Sequence, residues 1–214
     1  MSPKISIVLC TYNRPEILVN RSIASVLKQT HKNFELNVVG DGPPNNLTKK
    51  AMNSINDKRV NYHELPVNGP YPSGKRGWFV AGVPAANKSL ELATGKYLSH
   101  IDDDDEWYPN HLEKLLALLE SNDYDFVYAK TLAKFPGKPN KPNRIIGSPP
   151  PIQCGKICHM SILYKAYLKE IQYNLNINEP ADWNRFRRIQ DSGAKIGFLD
   201  DITSIWNASP NRKL

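Results

Sequence analysis

Strand-length apolar runs alternating with helical patterns constrain this chain more than anything else in it. The runs are "KISIVLC" (4–10), "NFELNVVG" (33–40), "RVNYHEL" (59–65), "GKYLSHI" (95–101) and "YDFVYAK" (124–130), each as long as a buried strand. Helical spacing lies between them. Ile17, Leu18, Ile23, Val26 and Leu27 share one side of 15–29, a second helix is predicted over 45–55, and a third runs over 84–93 from Pro84 to a stop at Gly95. The fourth, over 109–119, opens beside Pro109 and stripes Leu112, Leu115, Leu116 and Leu119 along one face. Parallel strands need crossovers, and helices supply them, so this order predicts an α/β domain with a mainly parallel sheet covered on both faces.

In such a sheet, ligands gather at the carboxyl ends of the strands. Chemistry-bearing residues follow three of the runs at that end: Thr11, Tyr12, Asn13 and Arg14 after the first, Asp41 after the second, and the aspartates 102–105 after the fourth. Four adjacent carboxylates repel one another and each seeks water or a cation. A solvated acidic turn would explain them, as would capping of the helix at 109–119. A third explanation is a divalent cation, since hard oxygen ligands suit Mg2+ or Mn2+ and a bound ion removes the repulsion. Capping needs fewer than four.

Beyond residue 130 the texture changes. The segment "KFPGKPNKPNRIIGSPPPIQ" (134–153) holds six prolines among basic residues, too many for a helix or a central strand. It is expected to be an extended, flexible loop near the site. After it, 154–191 is expected to form a short strand and two helices, and "KIGFL" and "ITSIW" two short closing strands. The chain divides into a first half, 1–130, that carries the ligand-binding rim, and a second half, 131–214, of the same domain.

Composition excludes several classes. With 40% hydrophobic and 23% charged residues, 214 residues can bury a substantial core. No apolar run approaches the roughly 20 residues that cross a bilayer, and the strand-like start argues against a signal peptide. Three cysteines, Cys10, Cys154 and Cys158, without a CxxC pair, fit free thiols in a reducing compartment, and a cytoplasmic location is expected. The net charge of +7 is dispersed, with no basic run interleaved with aromatics, so nucleic acid is not the expected partner. Contact with a membrane surface stays open.

Taken in order, "PKISIVLCTYNRPEIL", "SIASVLKQTHKNFELNVVGDG" and "PAANKSLELATGKYLSHIDDDDEWYPNHLEKLL" resemble the family 2 glycosyltransferases, which have the Rossmann-like GT-A fold. "NEPADWNRFRRI" resembles a later family segment more loosely. The resemblance implies a metal-dependent, inverting transfer of a sugar from a nucleotide-diphospho-sugar, with UDP expected, to a hydroxyl of a glycan, lipid or protein. It makes the acidic run the DxD element: Asp104 the direct ligand of Mn2+ or Mg2+, with Asp102 and Asp103 on the ribose or the metal's shell. It also gives Tyr12 a pyrimidine to stack on, with Thr11 and Arg14 in the same pocket. Asp41 would take the imide hydrogen of the base. The family often has two aspartates there, and Gly40 stands at the first, which leaves GDP and dTDP open. Lys75 or Arg76 would reach the diphosphate unless their loop is simply solvated.

The general base that the resemblance implies falls on Asp182, with Glu179 behind it, although Asp182 would also cap a helix. His159 could face the acceptor, touch the metal or be structural, and Trp107 and Trp183 could be sugar platforms or core. A non-catalytic nucleotide-sugar-binding or accessory domain of a longer transferase is the alternative. A nucleotidyltransferase is disfavoured, because "CTYNRPE" is not a glycine-rich phosphate loop.

Overall fold

A computed structural model describes residues 2–42, 46–138 and 140–208. The expected helix start at 45, the prolines of "DGPP", Pro139 of the proline-rich segment and the two chain ends of the expected halves lie outside them.

The first three strands are β1 (Ile5–Thr11), β2 (Phe34–Gly40) and β3 (Val60–Glu64). A continuous helical stretch joins β1 to β2: α1 (Pro15–Ile17), a π-helical segment Leu18–Ile23 and α2 (Ala24–Leu27). Helix α3 (Leu47–Asn53) precedes β3, and α4 (Lys75–Val80) and α5 (Val83–Leu92) follow it. Then come β4 (Tyr97–His100), the short β5 (Glu106–Trp107), α6 (His111–Ser121) and β6 (Phe126–Lys134). The rest is β7 (Arg144–Ile146), β8 (Ile162–Lys165) flanked by 3-10 turns, α7 (Ala181–Asp191) and β9 (Ile196–Asn207).

Among the described residues one sheet runs in the order β3-β2-β1-β4-β8-β6-β9-β5, with β7 beside β6. The pairs from β3 to β4 are parallel, and β6 is parallel to β9. Strand β8 lies antiparallel between β4 and β6, which makes the sheet mixed. Direction is not written in an apolar run, so "SILYK" could not announce it. The expected "KIGFL" and "ITSIW" are one strand, β9, kinked where its register against β6 shifts between Ala129 and Thr131. Part of the proline-rich segment is ordered as well. Arg144–Ile146 closes a hairpin on β6, at the sheet's margin where proline's missing N–H does no harm.

Both faces of the sheet are buried. Ile5, Ile7 and Leu9 of β1 pack with Leu18, Ile23 and Val26 and with the predicted leucine stripe of α6. Val8 faces the other way, toward Val83, Ala86 and Leu90 of α5 and Phe186 and Ile189 of α7. This is the period-2 alternation of a strand sandwiched between helical layers. Register then does the functional work. Thr11 pairs with Gly40, and Val8 pairs with His100, so the residues that follow β1, β2 and β4 emerge on one rim.

Candidate functional site

The rim opens into a cleft of about 670 Å³ whose wall includes Thr11, Tyr12, Arg14, Asp41, Asp102, Asp103, Asp104 and Asp182. That volume suits a ligand of nucleotide size. Arg76 is not on this wall. It sits on α4, from which Trp78 and Phe79 line the cleft instead.

The four aspartates alternate. Asp103 and Asp105 are buried, while Asp102 and Asp104 are half-buried and face the cleft. Asp103 is the anchor: Thr11 Oγ1 donates to its Oδ2 at 2.8 Å, Tyr12 N–H at 3.4 Å, and Arg14 Nη2 lies 3.2 Å from its Oδ1. The same guanidinium bonds to Asp104. Burial pushes the Asp103 carboxyl up to about 6, against the pull of Arg14. Asp105 does not reach the cleft. Its Oδ1 accepts the Asn207 N–H at 2.8 Å, and burial, then Asp102 and Asp104, hold its carboxyl well above the ordinary range. Asp102, Asp103 and Asp104 thus line the cleft, with 102 and 104 the more exposed of the run.

The π-helical segment explains the shape of the turn. Arg21 Nη1 donates to the Asp104 carbonyl at 3.0 Å and Ser22 Oγ to the Asp105 carbonyl at 3.0 Å. Insertion of a wider turn re-aims these side chains, a common use of π segments near sites.

Asp41 is buried at the end of β2. Tyr71 Oη donates to its Oδ2 at 2.6 Å, and Asn68 Nδ2 donates to its carbonyl at 2.7 Å. Among the described residues no donor is in bonding geometry with Asp41 Oδ1, and burial raises its carboxyl above the usual value. A buried acceptor without a donor is costly unless something else supplies one. Gly42 makes the following turn possible at φ +84°, with its α-carbon against the chain at Asn68. Across the mouth stands Tyr12, 46% exposed.

Asp182 lies in the first turn of α7, where its Oδ1 accepts the Trp183 N–H at 2.7 Å. Burial raises its carboxyl, with His159 and that N–H drawing it back. Glu179 is otherwise engaged, with Asn184 at 2.5 Å and Arg187 at 2.8 Å, and is not on the cleft wall. Trp183 is on that wall. Trp107 is core, stacked on His111 at 4.3 Å and donating to the Met160 carbonyl.

His159 also faces the cleft. Burial would lower its imidazole, but the Asp102 carboxylate 2.8 Å from Nδ1 raises it. Sequence reasoning missed Tyr71, Asn68, Tyr173 and Trp78. Only Trp78, an aromatic beside glycines in "SGKRGWFVAG", carried a signal that could have been followed. The three cysteines are free.

Asp102 and Asp104 are the residues suited to a divalent cation, because their carboxylate oxygens are hard ligands. The acidic turn already attracts one cation, the Arg14 guanidinium. Among the described residues no three His, Cys, Asp or Glu side chains converge as a complete metal cage. Asp102 and Asp104 alone would fill only part of such an ion's coordination shell.

Residues 6–190 match the Glycosyl transferase family 2 profile. The chain is 32% identical over 124 residues to the Escherichia coli UDP-Glc:alpha-D-GlcNAc-diphosphoundecaprenol beta-1,3-glucosyltransferase WfgD, covering 58% of this chain and 44% of that protein. It is 33% identical over 157 residues to an uncharacterized glycosyltransferase of Acanthamoeba polyphaga mimivirus, covering 67% and 61%. An uncharacterized glycosyltransferase of Rickettsia bellii is 32% identical over 123 residues, 58% of this chain and 16% of that one. The chain thus spans less than two thirds of the length of each of these relatives. Among solved structures, S. aureus TarS in complex with UDP-GlcNAc aligns with a TM-score of 0.72 at 17% identity, over 98% of this chain and 60% of that one. The Pyrobaculum calidifontis mannosyltransferase PcManGT in complex with GDP-Man and Mn2+ aligns at 0.69 and 14%, over 99% and 59%. At those identities the likeness is one of fold.

Proposed function

Because this chain belongs to glycosyltransferase family 2 and has the GT-A fold, we propose that its cleft binds a nucleotide-diphospho-sugar and transfers the sugar, with inversion, to a hydroxyl acceptor. One observation carries the proposal: the acidic pair from the end of β4, Tyr12 and Asp41 from the ends of β1 and β2, and Asp182 from α7 line a single cleft.

Each group has a task its chemistry suits. The exposed ring of Tyr12 stacks on the base, and stacking of this kind contributes roughly 1–3 kcal/mol. Asp41 Oδ1 accepts a ring N–H, which uracil and thymine offer at N3 and guanine at N1. The fold neighbour bound to UDP-GlcNAc favours uracil, and the one bound to GDP-Man keeps guanine in the test. Thr11 holds Asp103, and Asp103 holds Arg14 beside the diphosphate. Asp102 and Asp104 would hold Mn2+ or Mg2+, and the chemistry a bound ion supplies is neutralisation of the charge on the leaving diphosphate. Asp182 takes the acceptor's hydroxyl proton as that oxygen attacks the anomeric carbon from the face opposite the nucleotide. The bond from the anomeric carbon to the diphosphate oxygen breaks, its electrons leave with the nucleoside diphosphate, and the new glycosidic bond forms with inverted configuration.

The test is a panel of UDP-, GDP- and dTDP-sugars, each with Mn2+, Mg2+ or a chelator, on wild type and Asp104→Ala. We expect a UDP-sugar to bind and hydrolyse slowly with metal, and both to fall at least about tenfold in the chelator and the variant, the ~1.4 kcal/mol effect of one lost charged contact. Equal binding in chelator and variant would remove the metal role. Binding with neither hydrolysis nor transfer to any acceptor would make the chain a binder.

A further inference from the structure

The basic residues form no dense run, yet they are not spread evenly. From Phe126 to Lys169 the chain carries eight lysines and arginines and no carboxylate, and from Leu65 to Leu90 three and none. Lys88, Lys130 and Lys165 are neutralised by Glu91, by Asp200, and by Asp123 with Asp125. Among the described residues no carboxylate pairs with Lys75, Arg76, Lys141, Arg144 or Lys156. These five stand around the mouth of the cleft. Lys75 and Arg76 are exposed on α4, whose Trp78 and Phe79 line the wall, and Lys75 Nζ is 5.5 Å from the Phe79 ring. Arg144 is itself on the wall and shares the Phe135 ring with Lys141, at 5.8 Å and 4.1 Å. Exposed Lys156 stands between Gly155 and Ile157, both on the wall. Two apolar side chains accompany them: Trp78, 45% exposed, and Ile145 beside Arg144, 55% exposed.

Cations gathered without counter-charges repel one another, and an anionic partner removes that cost. The shape of the site narrows the choice of partner. Inside the ring of cations the wall is acidic, with Asp41, Asp102, Asp103, Asp104 and Asp182 on it. A flexible polyanion that entered the cleft would meet those carboxylates, whereas a flat anionic surface touches the rim and stays outside. A bilayer with anionic lipids is such a surface. It attracts each nearby lysine or arginine by about fivefold in partition, an effect that fades within a Debye length. Tryptophan settles at the level of the headgroups, and an aliphatic side chain gains from the acyl boundary just below them. A phosphate backbone offers isoleucine nothing comparable.

We propose that the mouth of the cleft is a peripheral docking surface for an anionic lipid bilayer, with Lys75, Arg76, Lys141, Arg144 and Lys156 on the headgroups and Trp78 in the headgroup layer. The cleft then opens onto the bilayer, and a hydroxyl acceptor held at that surface reaches Asp182 without being extracted. That benefit to transfer rests on the function proposed above; the docking does not.

Co-sedimentation of the whole chain with vesicles tests this, using phosphatidylcholine alone and phosphatidylcholine mixed with phosphatidylglycerol. Wild type should bind the mixed vesicles, ignore the neutral ones and be released as salt rises. Lys141→Gln combined with Arg144→Gln should weaken binding roughly 10- to 30-fold, at about fivefold for each cation. Lys28→Gln combined with Lys58→Gln removes the same charge from exposed positions ahead of β2 and β3, at the opposite edge of the sheet. That pair should change binding less than about threefold, because screening leaves distant charges little effect. Bromine-labelled lipid should quench wild-type tryptophan fluorescence, and Trp78→Phe should lose most of the quenching. Wild type that ignores the mixed vesicles, or binds neutral ones equally well, overturns the docking. So does an equal loss in both charge pairs, which would make net charge the cause, or full quenching in Trp78→Phe, which would turn another face to the lipid. Tighter binding to a short single-stranded DNA than to the mixed vesicles, weakened in the same Lys141 and Arg144 variant, would make the partner a nucleic acid. Failure of the wild type to bind any sugar nucleotide would sink the transferase function and leave the vesicle result standing.

Discussion

Replacing Asp182 with asparagine separates its two possible duties. Its Oδ1 accepts the Trp183 N–H at 2.7 Å in the first turn of α7, and an amide oxygen can keep that bond. The lost charge weakens the favourable interaction with the helix amino terminus by about 0.3–1 kcal/mol. Burial already disfavours the ionised form, which offsets part of that loss, so the fold should change by under about 1 kcal/mol. Transfer should suffer far more. A positioned general base contributes typically 10²–10⁴-fold, or about 3–5 kcal/mol at 1.36 kcal/mol per tenfold. Wild type should also lose kcat as pH falls through the Asp182 pKa, which lies above 3.8 because burial raises it; that limb should vanish in the variant. The assay is single-turnover transfer across pH, with donor affinity measured by titration on the same samples. A variant that keeps kcat within about threefold of wild type, or keeps the acid limb, would move the base elsewhere.

Two further predictions concern stability. Ser6, the Thr94 N–H and Lys4 hold Glu35 in its ionised form and, against the cost of burial, lower its carboxyl from 4.5 to about 2. Its contribution is therefore present above pH 4.5 and lost as pH falls toward 2, about 2–3 kcal/mol after allowance for the exposed lysine. Glu35→Gln should lower Tm by roughly 5–10 °C at pH 7 and much less near pH 2, and an equal drop at both would contradict the linkage. Gly42→Ala places a methyl 2.2 Å from the Asn68 nitrogen at φ +84°, so it should cost about 2–4 kcal/mol in denaturant unfolding; a loss under about 0.5 kcal/mol would show that the turn relaxes freely.

Much of the site could be read in the sequence because its parts are local. Tyr12, Asp41 and the aspartates each stand immediately after a recognisable strand run, and a parallel sheet places such residues on one edge. Asp182 follows "NEPA" at a helix start, another local signature. The sequence could not say which of the four aspartates faces the cleft. That depends on how the turn pleats against Arg21, Ser22 and Asn207, and two of those contacts come from a π-helical segment with no pattern of its own.

Arg76 shows the reverse case. Its charge made it a plausible phosphate contact as long as its segment was taken for a loop. In α4, Trp78 and Phe79 line the cleft and Arg76 does not, and charge alone carries no information on that placement.

By itself, then, the order and spacing of apolar residues determined the α/β class, the core faces of β1 and α6, and the edge on which the chemistry collects. Those properties depend on periods of two and of about 3.6 residues, which a linear chain displays. Only the tertiary structure decided the antiparallel insertion of β8 and the pairing of Asp102 with His159. A hydrogen bond between side chains 57 residues apart depends on strand direction and helix docking, and neither leaves a periodic trace in the residues that make it.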